Sequence, residues 1–297
     1  MAELPLGEDT PTGRIRHLLR RTPLHTAWRW AVSSLDARRH AADLRGARSF
    51  VIFLGHARSG HSIVGALLDA HPQIALSDEL DALRYVADGF GRDRVLALCL
   101  KVARDQHRRE RRKRGRSGSV YSYAVPGQWQ GRHHDLRVVG DSDAGRSVQR
   151  LDGDRAFLER LRRTMAPLDL RFVHVVRNPY DNIGTMMLRS GRTFESAIER
   201  YFGNWAAIER LRDRLEPGAI HTIRHEDLVA GPQAQLAALC TFLDVPASDD
   251  YLDAAASILF RGPSQTRREV TWTAEQRRAI DTGIADYEGL AGYSFED

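Results

Sequence analysis

The stretch Arg48 to Glu79, RSFVIFLGHARSGHSIVGALLDAHPQIALSDE, constrains the fold of this chain more than any other. Val51 to Leu54 are continuously apolar, which predicts a strand buried on both faces rather than one that shows a polar face to water. Gly55 closes the run. From Gly55 to Ser62 the chain spells G-x-x-x-x-G-His-Ser, the phosphate-cradling loop pattern with histidine where lysine is usual. Ile63, Val64, Leu67 and Leu68 then fall at helical spacing, so the loop sits between a strand end and a helix start. Such a loop aims backbone N–H groups and the positive end of a helix dipole at one small volume, which predicts an anion site.

The 297 residues and 42% hydrophobic content suffice for one large α/β domain. No run approaches the roughly 18 apolar residues of a membrane span, and a secretory apolar core is missing, so a cytoplasmic protein is expected. Cys99 and Cys240 sit far apart among apolar residues and are expected to be buried and reduced. The net charge of +5 comes with arginine far in excess of lysine, a composition that permits bidentate recognition of phosphate or sulfate oxygens.

Residues 1–48 read as a basic N-terminal extension in which Trp28, Trp30 and Leu35 lie on an amphipathic helix. That helix either touches anionic lipid or packs against the main domain, and its short apolar face favours packing. Residues 49–297 read as a single domain. His71-Pro72 stops the first helix, and Gln73 to Leu76 predict a second strand with Asp78 and Glu79 at its carboxyl end. Groups at strand carboxyl ends line the ligand crevice of a parallel sheet, so both acids are candidate general bases, with helix capping as the other reading. The like-charged block 104–118 predicts a solvated, mobile insertion. Tyr121, Tyr123 and Trp129 just beyond it read either as a loop able to wall a substrate pocket or as an ordinary packed loop.

A third strand over Leu136–Val139 ends in Gly140-Asp141, and RFVHVV at 171–176 predicts a fourth. The fourth runs directly into RNPYDNIGT, where Pro179 can open a new helix. Arg177 is thereby placed at a strand end beside a second helix N-terminus, with Thr185 two turns along. Ile220–Ile223 is a further strand closed by Arg224-His225-Glu226-Asp227, and Thr273 with Gln276 predicts a capping box for the last helix. Strands alternating with helices predict a doubly wound, mostly parallel α/β sheet in three layers.

Taken together, GHARSGHSIVGALLDAHP and RNPYDNIGT resemble the two anion loops of the sulfotransferases that use 3'-phosphoadenosine 5'-phosphosulfate (PAPS). IRHEDLVAGPQAQLAALCTFLDV and SQTRREVTWT resemble that family's late segments, so the likeness spans roughly residues 49 to 295. The first loop is most similar to the tyrosylprotein and bacterial carbohydrate-type branches. The resemblance implies that Arg58, Ser59, Gly60, His61 and Ser62 hold the 5'-phosphosulfate, that Arg177 and Thr185 grip the 3'-phosphate, and that Arg267 is a further cofactor candidate. It implies a catalytic set of Glu79 as base with Arg58 and a protonated His61 at the leaving oxygens, and Asp78 is a rival base because the spacing after His71-Pro72 is one residue longer than the family's. Ala57, His61 and Ser142-Asp143 depart from common family residues. The expected reaction is metal-free in-line sulfuryl transfer to an acceptor hydroxyl of a carbohydrate, glycolipid or small natural product. No nucleic-acid partner is expected. The competing readings are a P-loop kinase or nucleoside triphosphatase, with Asp141 as its magnesium carboxylate, and a non-enzymatic anion- or nucleic-acid-binding module built on the 104–118 block.

Overall fold

The computed structural model describes residues 23–114, 123–259 and 265–296. In chain order come α1 (Pro23–Arg39), α2 (Ala41–Gly46), β1 (Ser49–Gly55), α3 (His61–Asp69), β2 (Ile74–Ser77), α4 (Ala82–Ala87) and α5 (Arg92–Arg114). There follow β3 (Val138–Asp141), α6 (Ala144–Gly153), α7 (Phe157–Met165), β4 (Asp169–Val176), α8 (Pro179–Ser190) and α9 (Phe194–Arg212). The chain then forms β5 (Ile220–Arg224), α10 (His225–Ala230), α11 (Pro232–Phe242), α12 (Asp249–Ala256) and α13 (Ala274–Ala285), with short 3-10 turns at Thr266–Glu269 and Glu288–Leu290.

All strand pairs are parallel, in the order β2-β3-β1-β4-β5. β1 is central because its residues are apolar on both faces. Phe50, Ile52 and Leu54 enter one core with Leu96, Val148, Leu161 and Ile208, while Val51 and Phe53 enter the other with Val64, Leu67, Leu236 and Leu239. This period-two division is the doubly wound sheet expected from the sequence. Gly140 is required where β3 meets β1, since a Cβ there would lie 2.2 Å from the Val51 carbonyl oxygen. After β1 the chain turns to one side of the sheet, and from β3 it crosses to the other, so the switch point lies at the carboxyl end of β1. Parallel sheets take their ligands at such a point.

Two expectations need correction, and a third is resolved in part. Residues 104–114 of the basic block continue α5 rather than forming an insertion. Val95, Leu96, Leu98, Cys99 and Leu100 anchor that helix in the core, and arginine, lysine and glutamate extend a helix once it is nucleated. Residues 115–118 of the block, and Tyr121, lie outside the described residues. Trp129 does not wall the crevice: its N–H donates to the Ala70 carbonyl at 3.0 Å, at the end of α3 remote from the glycine loop. The N-terminal helix packs on the domain, but not by the face expected: Ser33 is buried while Trp28, Trp30 and Leu35 are each about half exposed. Arg94 of α5 stacks 4.1 Å over Trp30 and its Nε donates to Ser34 Oγ at 2.9 Å.

Candidate active site

The loop after β1 is built for close backbone approach. Gly55 has φ 136° because a Cβ would strike the Val175 carbonyl oxygen at 2.7 Å, and Gly60 has φ 98° with the His225 imidazole where its Cβ would be. Arg58, a non-glycine residue, is held at φ 70°, a conformation that costs free energy and is typical of ligand-binding turns. α3 begins immediately, at His61. The loop's two histidines differ in direction. His56 turns inward, stacks on Tyr201 at 4.1 Å and shares a hydrogen bond between Nε2 and the Tyr201 carbonyl at 2.8 Å; burial pushes its pKa down to about 4.

His61 points toward the crevice, with Nε2 4.0 Å from Glu79 Oε1. Burial lowers its pKa, the Glu79 carboxylate opposes that shift, and nearby Arg58 adds to it. The ring is therefore neutral at pH 7 in the free protein, not the imidazolium expected from the sequence. A neutral imidazole still offers one N–H. Ser59 is 1% exposed and its Oγ has no partner among the described residues.

The two acids after β2 separate cleanly. Asp78 is embraced by Gln106, which accepts from its N–H at 3.0 Å and donates to its carbonyl at 2.7 Å, while Ser142 Oγ donates to its carboxylate at 3.0 Å. Glu79 stands at φ 55° with its side chain 57% exposed beside His61. Neither acid caps the next helix. Asp141 does, taking the N–H groups of Leu80 at 3.1 Å and Ala82 at 2.8 Å along with Ser77 Oγ at 2.9 Å. Burial raises the Asp141 pKa to about 6. The carboxylate that a magnesium-dependent reading would use is thus spent on local structure.

The second loop, after β4, is cross-braced. Asn178 caps α8 by accepting from the Tyr180 N–H at 2.9 Å, and Pro179 occupies the first helical position, where its missing N–H costs nothing. Arg177 Nη1 donates to the Arg58 carbonyl at 3.1 Å, so the two anion loops touch. Thr185 donates to the Asp181 carbonyl at 2.7 Å and lies 3.1 Å from Thr266 Oγ1. Arg267, expected at the cofactor, is first a counterion. It forms a buried ion pair with Asp181, its backbone N–H also donates to that carboxylate at 2.8 Å, and its Nε donates to the Phe295 carbonyl at 2.7 Å. Only its Nη2 is without a partner among the described residues. Burial raises the Asp181 pKa, and both Arg267 and Arg177 pull it back.

His225, given no role by sequence reasoning, joins the two loops. Its ring lies against Gly60, burial and Arg177 lower its pKa, and Nδ1 has no partner among the described residues. Glu226 beside it accepts from the Asn178 N–H at 2.9 Å and from Tyr293 Oη at 2.8 Å. The signal available in advance was the polar run 224–227 directly after a strand, the same punctuation that marks both anion loops.

A model of the sulfotransferase family matches residues 158–250, a segment containing β4, the second loop and His225. Over that segment the chain is similar to the sulfotransferase family. Among solved structures, the sulfotransferase domain of the Synechococcus olefin synthase is 16% identical, covers 82% of this chain and 96% of its own, and has a TM-score of 0.48. A Mycobacterium avium sulfotransferase is 13% identical, with 94% and 86% covered and a TM-score of 0.48. A mouse sulfotransferase complexed with PAP is 12% identical, with 82% and 84% covered and a TM-score of 0.45. These overall likenesses are too distant to transfer residue roles. No curated protein matches the chain.

Proposed function

We propose that the protein transfers the sulfuryl group of PAPS to the hydroxyl of a carbohydrate, glycolipid or small natural product. The observation that carries the reading is the contact of two strand-end anion loops through Arg177 and the Arg58 carbonyl, with His225 seated on Gly60 between them. A nucleotide charged at both its 5' and 3' ends matches that donor set. The amides that open α3, Ser59 Oγ, Ser62 and Arg58 would hold the 5' end, and Arg177 with Thr185 the 3' end. The unpartnered Ser59 Oγ, His225 Nδ1 and Arg267 Nη2 are buried polar atoms of the kind a bound anion satisfies.

When bound, PAPS supplies an activated sulfuryl group on a phosphate leaving group. Glu79 would take the proton of the acceptor hydroxyl, because Asp78 is already committed to Gln106 and Ser142. Arg58, the loop amides and an N–H of His61 would face the bridging oxygen as negative charge builds there, the preorganised stabilisation that group transfer needs. The Glu79 carboxylate beside His61 also favours protonation of that ring, and a bound anion would favour it further.

Titration calorimetry with adenosine 3',5'-bisphosphate, set against ADP with magnesium, tests the proposal. Micromolar binding of the bisphosphate that is lost in Arg177→Ala is the expected result. Binding of ADP with magnesium alone would replace it with the kinase reading.

A further inference from the structure

Away from the crevice, where β1 and β2 begin, three side chains from separate segments converge. His40 precedes α2, Asp43 lies in its first turn, and His133 comes from the connection into β3. His40 Nδ1 is 3.1 Å and His133 Nε2 3.3 Å from the same Asp43 oxygen, Oδ2, and all three donor atoms lie within 4.8 Å of one another. The imidazole rings stand 6.2 Å apart at 68°, edge to face rather than stacked.

We propose that His40, Asp43 and His133 form a zinc site that pins the N-terminal helices to the domain. A tetrahedral zinc with bonds near 2.1 Å sets its ligand atoms roughly 3.4 Å apart, close to the two measured separations. Two imidazoles and one carboxylate are a donor set for zinc and its transition-metal neighbours, not for magnesium or calcium. Three protein ligands leave the fourth position to water. The site is separate from the reaction centre, where no metal is invoked.

Arg104 controls entry. Its Nη2 lies 3.0 Å from His40 Nε2, and a guanidinium can only donate, so that nitrogen carries the lone pair and Nδ1 carries the proton. Zinc on Nδ1 needs the proton moved to Nε2, which would then face the Arg104 N–H. Metal binding therefore shifts that proton and turns Arg104 aside. In Arg104→Gln an amide oxygen can accept the Nε2 proton, as the outer partners of metal-bound histidines do.

The test is titration calorimetry of metal-free full-length protein, carrying no histidine tag, with zinc chloride, repeated with cobalt(II) to read its tetrahedral visible absorption. We expect one zinc per chain, a raised melting temperature with zinc present, and loss of both in His133→Ala and in Asp43→Asn. Arg104→Gln should bind roughly 10-fold tighter. Affinity for adenosine 3',5'-bisphosphate should be the same with and without zinc. No zinc binding by the wild-type chain, zinc binding undiminished in both ligand variants, or unchanged affinity in Arg104→Gln would overturn the site.

Discussion

The two anion loops occupy equivalent places, each between a strand's carboxyl end and a helix, yet they are built in opposite ways. The first relies on backbone geometry, and the groups beside it reach solvent: Arg58 is exposed and the Glu79 side chain is 57% exposed. The second is sunk into the protein, with Arg177 and Thr185 each 8% exposed and Arg267 2%. A recognition half held by buried partners can be rigid before any ligand arrives, which saves ordering cost on binding. On the proposed reading, a transfer half must admit an acceptor and release it, which fits the accessibility of Glu79, its proposed base.

If this division is right, changes in the open half should alter turnover and changes in the buried half should alter binding or folding. Glu79→Gln should lower turnover roughly 100- to 10,000-fold, the worth of a well-placed general base. Its affinity for adenosine 3',5'-bisphosphate should hold; steady-state kinetics with an identified acceptor, beside calorimetry, checks both. Full turnover in that variant would move the base to Asp78 or His61. Arg267→Leu strands the Asp181 carboxylate in the interior and should cost roughly 3 to 5 kcal/mol of stability in urea denaturation. Arg177→Ala removes a charge-assisted donor, worth roughly 1.5 to 3 kcal/mol, and should weaken the bisphosphate about 10- to 100-fold while leaving the urea midpoint nearly unchanged.

The smallest effect concerns the floor that the two loops share. His174 of β4 is fully buried beside His56 and Trp205, neither ring nitrogen has a partner among the described residues, and burial pushes its pKa down to about 3. Its folded pKa lies below the unfolded value near 6.5, so the unfolded chain binds the extra proton as pH falls, and stability drops from about pH 6.5 toward 3. His174→Leu should therefore be about 1 kcal/mol more stable than wild type at pH 7, since two unsatisfied nitrogens are removed. That advantage should widen by roughly 2 kcal/mol at pH 5, measured by urea midpoints across pH. A loss of stability at both pH values would mean that the ring packs better than its missing hydrogen bonds suggest.

Local signals carried most of the fold. The apolar runs at 51–54 and 171–176 became the two longest strands, Pro179 and the Thr273–Gln276 box opened the helices they mark, and Cys99 and Cys240 are buried and free. The two strand-to-helix loops were legible because each is contiguous in sequence. What escaped depends on residues far apart in the chain. Asp181 and Arg267 meet across 86 positions, Asp141 caps a helix 59 positions before it, and His225 gains meaning only when β5 brings it to Gly60. The choice between Asp78 and Glu79 rested on Gln106, which lies beyond an intervening helix. The two readings of Trp129 could not be separated for a related reason, since composition says nothing about which end of α3 a loop will meet.

Three hydrogen bonds tie the second loop and its braces to residues 293–295: Tyr293 to Glu226 and Arg267 to the Phe295 carbonyl, described above, and Asn178 Nδ2 to the Ser294 carbonyl at 2.8 Å. During synthesis the first loop can close as soon as its strand finds neighbours, but the second cannot be fastened until Phe295 has left the ribosome. A chain stalled or cut before Tyr293 would leave the second loop without these braces. On the proposed reading, completion of the site would coincide with passage of Tyr293 and Phe295, and nucleotide binding would report on whether synthesis has run past them.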